Sequence, residues 1–218
     1  MFSAKGKKTI DVTRSLENGM NGVQIDIAKT VANDGWNATT LHLYSHIGTH
    51  MDAPFHFEVA EQTIDEISAE RFISEAWLVN LSHLPAKALI EPLHLAGIEH
   101  KFKQGDSILL RTDWSKTFGT DVYRNDLPRI SADLAHWMGE KGVNILGVEP
   151  PSVADVNNLP EVTEIHTILM QNDIVIVEGL VNLDQITAEK VTLIAMPLKI
   201  KNGDGAPARV IVLEEITE

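Results

Sequence analysis

The stretch Ser131-Ala132-Asp133-Leu134-Ala135-His136-Trp137-Met138-Gly139-Glu140-Lys141-Gly142-Val143-Asn144-Ile145-Leu146-Gly147-Val148 reads as a helix running into a buried strand. Ser131 is a capping residue type, and Leu134, Trp137 and Met138 share one helical face. Gly142 supplies the stop, and Val143–Val148 follows as an apolar strand. The pattern repeats downstream, with a predicted helix over Val162–Gln171 and a predicted strand over Asp173–Glu178. Upstream, Ser68–Glu75 reads as a helix, and Trp77–Leu81 and Asp106–Arg111 as strands. Thr39–His46 alternates, with Leu41 and Leu43 on one side and His42, Tyr44 and His46 on the other, which is a strand signal. Val191–Lys201 and Ala208–Leu213 flank Asn202-Gly203-Asp204-Gly205, a hairpin signal. Helices between strands in the middle and antiparallel pieces at the end predict an α/β or α+β fold with a mixed sheet and flanking helices. No repeat, low-complexity tract or linker divides the chain, so 1–218 reads as one domain.

Composition narrows the chemistry. The chain has 218 residues, 31 acidic and 18 basic side chains, a net charge of −13, 9 histidines and no cysteine. Without cysteine there is no disulfide, thiolate zinc site, iron–sulfur cluster or cysteine nucleophile. Any metal must be held by nitrogen and oxygen. The acidic balance disfavours nucleic acid and anionic membrane as partners. Met1–Ile10 has lysines but no apolar stretch behind them, and runs such as Ile174–Val177 and Leu193–Met196 are too short to cross a bilayer. The expectation is a cytoplasmic protein acting on a small molecule. No Gly-x-Ser-x-Gly elbow points to a serine nucleophile.

Four of the nine histidines fall within His42–His56. The core of this segment is Ser45-His46-Ile47-Gly48-Thr49-His50-Met51-Asp52-Ala53-Pro54-Phe55-His56-Phe57. Gly48 and Pro54 exclude a helix, although His46 and His50 are four apart. Read as extended chain, His50, Asp52, Pro54 and His56 point one way, and Met51, Ala53, Phe55 and Phe57 point into the core. Gly48 supplies a turn that folds His46 back beside His50. Two neutral imidazoles and a carboxylate are ligands for a divalent metal such as Zn²⁺ or Mn²⁺, with a position left for water. His42 reads as a structural neighbour, and His83, His94, His100 and His136 as ordinary polar residues. In the second half, Glu178 ends an apolar strand, where a carboxylate needs a partner. His166 on the preceding helix is its natural co-ligand.

The His46, His50, Asp52, Pro54 and His56 pattern resembles the metal-dependent cyclase family, which includes bacterial kynurenine formamidases and isatin hydrolases. The likeness extends to Arg111-Thr112, to Gly147-Val148-Glu149-Pro150-Pro151-Ser152-Val153 and to Glu178-Gly179-Leu180. It implies a swivelling β/β/α domain assembled as a homodimer or homotetramer. It also implies one metal on His46, His50 and Asp52, and a second on Asp52, His166 and Glu178, with His56 as proton donor and acceptor. The family's kynurenine formamidases carry a Trp/Pro-rich stretch where this chain has Glu17–Val23, which contains neither, so the substrate stays open.

The leading expectation is therefore a hydrolase that opens a small amide, lactam or imide with metal-activated water, with His56 and Glu178 as catalytic residues. One or two ions of Zn²⁺ or Mn²⁺ are the expected cofactor. Two alternatives are a metal-assisted cyclase or lyase on a carbonyl compound, and a non-catalytic metal or small-molecule binding protein.

Overall fold

A computed structural model describes residues 6–216; the first five residues of the Met1–Ile10 stretch lie outside them. The strands are β1 (Lys7–Asp11), β2 (Val23–Lys29), β3 (Ala38–Leu43), β4 (His50–Asp52), β5 (Ile73–Asn80), β6 (Leu89–Ile90), β7 (Ser107–Arg111), β8 (Arg129–Ile130), β9 (Ile145–Val148), β10 (Val175–Glu178), β11 (Lys190–Pro197) and β12 (Gly205–Glu215). The helices are α1 (Val31–Asp34), α2 (Ala96–Glu99), α3 (Asp121–Asn125), α4 (Ala132–Lys141) and α5 (Leu159–Gln171). Eight strands form one mixed sheet in the order β1-β12-β11-β5-β7-β9-β10-β4, and β4 pairs again with the start of β12. The sheet thus closes on itself as a barrel. Strands β5, β7, β9 and β10 run parallel. The expected mixed sheet with flanking helices is what forms.

Two apolar cores lie on opposite faces of this sheet. Ile108, Leu110, Leu146 and Ile176 pack outward against Leu134 and Met138 of α4 and Ile165 and Leu169 of α5. Leu109, Ile145, Val175 and Val177 point into the barrel with Met51, Leu193 and Val210. Strand alternation therefore assigns each β10 residue to a side. Helix α4 forms as its sequence indicates. The Ser131 hydroxyl accepts from the Leu134 N–H at 3.0 Å, a cap of about 1 kcal/mol, and Gly142 ends the helix.

Four local expectations change. Ser68–Glu75 is not a helix. A single 3-10 turn spans Ala69–Phe72, and Ile73 already begins β5. Strand β11 pairs with Ile73–Glu75, and sheet pairing overrides local helix preference. Thr39–His46 is a strand only to Leu43, and Leu41 faces solvent rather than core. It pairs with β2 alone, in a two-stranded ribbon outside the barrel. The 202–205 segment is no tight hairpin: β11 ends at Pro197, and 198–204 form a longer loop. Finally, the extended run after His50 stops at Asp52. Pro54 starts a 3-10 turn over Pro54–Phe57, which exposes Phe55 while Phe57 packs against the outer core. Phe57, not Phe55, is the packing residue.

The closing strand carries a buried acid. Glu214 accepts from the Thr187 N–H, the Thr187 hydroxyl, the Ala188 N–H and Lys8 Nζ. Burial works to raise its pKa, but these donors outweigh it and hold the carboxyl down at about 2, against an ordinary 4.5. A depressed carboxylate stabilises the fold above its unfolded pKa, and this is lost as pH falls toward the folded one. Glu214→Gln should therefore lose about 1–2 kcal/mol at pH 7. In urea unfolding the gap to the parent should narrow on going from pH 7 to pH 3; a gap that stays constant would refute the ionic origin.

Candidate metal and catalytic site

Register builds the site. In the β10–β4 pair, Ile176 lies opposite Asp52 and Glu178 opposite His50. Met51 faces the barrel interior, so His50 and Asp52 take the other face, which is the face of Ile176 and Glu178. That face looks toward α5, which contributes His166. Gly48, in the left-handed region (φ 63°), turns the chain so that His46 and His50 meet edge to face, with centroids 5.2 Å apart. The Thr49 hydroxyl donates to the Gly179 carbonyl at 2.7 Å and ties this turn to the end of β10.

The side chains expected from sequence converge. His50 Nε2 is 3.3 Å from Glu178 Oε2 and 3.8 Å from Asp52 Oδ1. His166 Nε2 is 3.4 Å from Glu178 Oε1 and 3.7 Å from Asp52 Oδ2. His46 Nδ1 is 2.8 Å from Asp52 Oδ1. Asp52 thus turns one oxygen to His46 and His50 and the other to His166. The histidine tautomers follow from their neighbours. His166 Nδ1 donates to the Val162 carbonyl at 2.7 Å, and His50 Nδ1 to the Gly48 carbonyl at 3.2 Å. A carbonyl can only accept, so Nδ1 carries a proton, and in the neutral ring Nε2 is the atom with the lone pair. Without a cation, burial is outweighed by Glu178 and Asp52, which raise the pKa of both rings.

The electrostatics fit a cation. Asp52 and Glu178 are each only 3% exposed. The partners at their oxygens are imidazoles and the Val153 N–H, with no lysine or arginine in contact among the described residues. Among the described residues Asp52 Oδ2 has no hydrogen-bond partner, an expensive state for a buried carboxylate oxygen. Cation bonds of ~2.1 Å place donors roughly 3–4 Å apart, which the His50 and His166 spacings satisfy, while His46 and Asp52 stand at hydrogen-bond distance, 2.8 Å. Among the described residues three three-residue groups could hold a metal ion: the buried His46–His50–Asp52 and Asp52–His166–Glu178, and a more open His46–His56–Asp204. Burial alone would lower the pKa of His46, but Asp52 and Asp204 outweigh it and raise it to about 9. His56 moves the other way: burial, with His46 and His166 nearby, keeps it below its usual range and neutral at pH 7. Its ring stacks on His46 at 3.8 Å, while Phe57 stacks on His166 at 4.5 Å.

Residues 10–155 match the Cyclase family. The chain belongs to the cyclase family. It is 31% identical over 178 residues to kynurenine formamidase of Bacillus thuringiensis (strain Al Hakam), covering 81% of this chain and 79% of that protein. It is 29% identical over 217 residues to kynurenine formamidase of Bacillus mycoides, covering 95% and 98%. Isatin hydrolase A from Labrenzia aggregata, solved with benzyl benzoate, superimposes with a TM-score of 0.87 at 25% identity, covering 98% of this chain and 96% of that one.

In this member of the family, the histidines set aside from sequence stay apart from the site. His42 lies on the exposed ribbon, 3.5 Å from Asp26. His83, His100 and His136 are exposed, and His94 pairs with Glu91 at a helix start. Glu149 is buried and accepts from the Thr112 and Trp114 N–H groups and the Ser115 hydroxyl, which anchors the 112–115 turn. Sequence reasoning missed one residue. Asp204, read as part of a turn, reaches His46 and His56. Its only signal was an acid between two glycines, which turns share with sites. Glu17–Asn21, Ile47, Phe118 and Gly119 line a cavity of about 500 Å³, and Ile47 adjoins His46 in sequence. Among the described residues no helix is long and apolar enough to cross a membrane.

Proposed function

We propose that this cyclase-family protein is a metal-dependent hydrolase that opens the carbon–nitrogen bond of a small amide, lactam or imide. The observation that carries the reading is Asp52, a buried carboxylate whose two oxygens face two separate donor groups and one of whose oxygens has no partner. His46, His50 and Asp52 would hold one divalent cation, and Asp52, His166 and Glu178 a second. The nitrogen and oxygen donor set suits Zn²⁺ or Mn²⁺. When bound, such an ion supplies a Lewis acid for a substrate carbonyl and acidifies water. His56, neutral and still partly open to solvent, takes a proton from the attacking water and returns it to the departing nitrogen. Glu178 keeps His50 and His166 in place through its two oxygens. Phe57 packs on His166 and limits its swing. The relatives named for kynurenine and isatin chemistry support aryl amides and lactams as the first compounds to try.

The test is metal content and turnover. Chelation should abolish opening of N-formyl aryl amides or fused lactams, and Zn²⁺ or Mn²⁺ add-back should restore it. Full turnover in metal-free protein would sink the reading. Oxygen-18 water separates hydrolysis from a cyclase or lyase reaction, because only hydrolysis places the label in product.

We also propose that the chain works as a single domain in the cytoplasm, assembled as a homodimer or homotetramer through the β2–β3 ribbon. A lone two-stranded ribbon is marginally stable in water. This one nonetheless exposes Ile27, Val31, Trp36, Leu41 and Tyr44. A second copy of the same ribbon offers apolar cover. Trp36→Glu should shift sedimentation toward the monomer; an unchanged mass would move the interface elsewhere.

A further inference from the structure

Asp204 precedes β12 and has no role in the reaction as described above. Its Oδ2 accepts from His46 Nε2 at 2.8 Å, lies 3.3 Å from Ser45 Oγ and stands 3.6 Å from His56 Nδ1. The backbone around it is pinned. The Asp204 carbonyl accepts from the Ala53 N–H, and the Gly203 carbonyl from the Ile64 N–H, both at 2.9 Å. Gly205 follows, opposite Asp52 in the β12–β4 register. A Cβ on Gly205 would stand 2.7 Å from His46 Cε1 and 2.6 Å from the Met51 carbonyl oxygen. No residue larger than glycine lets the chain pass this close to the His46 ring.

A pattern runs through the three histidines of the two donor groups. His50 and His166 each give their Nδ1 proton to a backbone carbonyl, which aims Nε2 at the carboxylates. His46 has a carboxylate in that position instead, and on the opposite ring nitrogen. Its Nδ1 faces Asp52, whose side chain is 1% exposed, while its Nε2 faces Asp204, whose side chain is 40% exposed. Nδ1 is the inward atom and Nε2 the outward one. A histidine can offer one nitrogen to a metal only if the other carries the proton. An acceptor on that second nitrogen fixes the tautomer and ring direction and raises ligand basicity.

We infer that Asp204 is a positioning residue: it holds the Nε2 proton of His46, presents Nδ1 inward as the ligand atom, and depends on Gly205 for its approach. The inference rests on the metal-hydrolase reading, and its test separates the two. Calorimetric Mn²⁺ titration of the metal-stripped full chain should show about 10–100-fold weaker binding for Asp204→Ala. Asp204→Asn should recover part of the loss, because its carbonyl still accepts from Nε2. Nitrogen-15 NMR of metal-loaded parent protein should place the His46 proton on Nε2. Parent-like Mn²⁺ affinity in Asp204→Ala, or a His46 proton on Nδ1, would overturn the inference and leave the hydrolase reading standing. A parent protein that binds no divalent cation would overturn both.

Discussion

His56→Ala should lower kcat by about 10²–10⁴-fold while the protein keeps its full complement of divalent metal. The asymmetry follows from where the ring sits. His56 belongs to neither of the two buried donor groups, only to the more open His46–His56–Asp204 trio, and it stacks on His46 at 3.8 Å with a partly open edge. Burial outweighs the pull of Asp52 and Asp204 and keeps its pKa below the usual range, so the ring is neutral near pH 7. It is therefore ready to accept a proton. The check is steady-state kinetics on any accepted amide or lactam, beside elemental analysis of the same sample. Retained turnover would remove the proton relay and favour a binding protein. Loss of metal together with turnover would instead make His56 a ligand.

Asp52→Asn should weaken divalent-cation binding by at least about 100-fold and abolish hydrolysis. Asp52 is the one residue common to the two inner donor groups, and its two oxygens face opposite ways. An amide keeps the volume but removes the charge and puts two N–H donors where a cation would be met. In the metal-free protein the same substitution breaks the buried pair that Asp52 makes with His46 at 2.8 Å and removes the charge that faces His50 and His166. Its metal-free form should therefore melt below the metal-free parent, by about 3–5 kcal/mol of stability. Melting curves of stripped and loaded protein check both halves. A variant that still binds metal like the parent would show that Asp52 serves the fold and not a cation.

Much of this site was legible along the chain. The alternation from His50 to Asp52 separates donors from the apolar Met51, because strand periodicity needs only a few residues to show. Ser131, Leu134, Met138 and Gly142 delimit α4 by the same kind of short-range rule. Reading failed where a distant partner decided. Leu41 has the spacing of a core residue, yet no second layer covers its ribbon. Ile73 lies in a helix-like stretch, yet β11 pairs with it. Phe55 alternates correctly on paper, but Pro54 turns the chain one residue before it.

By itself, the sequence determined the chemical character of the protein: nitrogen and oxygen donors without sulfur, two imidazoles and a carboxylate at close spacing, and a mixed helix–strand scaffold. These are properties of residue type and of contacts within a turn or two. Only the tertiary structure decided that Glu178 stands opposite His50, that His166 reaches Asp52 from α5, and that Asp204 closes on His46 from the far end of the chain. Those pairings depend on sheet register, where a slip of one residue would turn every donor to the opposite face. Register is set by the packing of both cores at once, and no local window of sequence contains it.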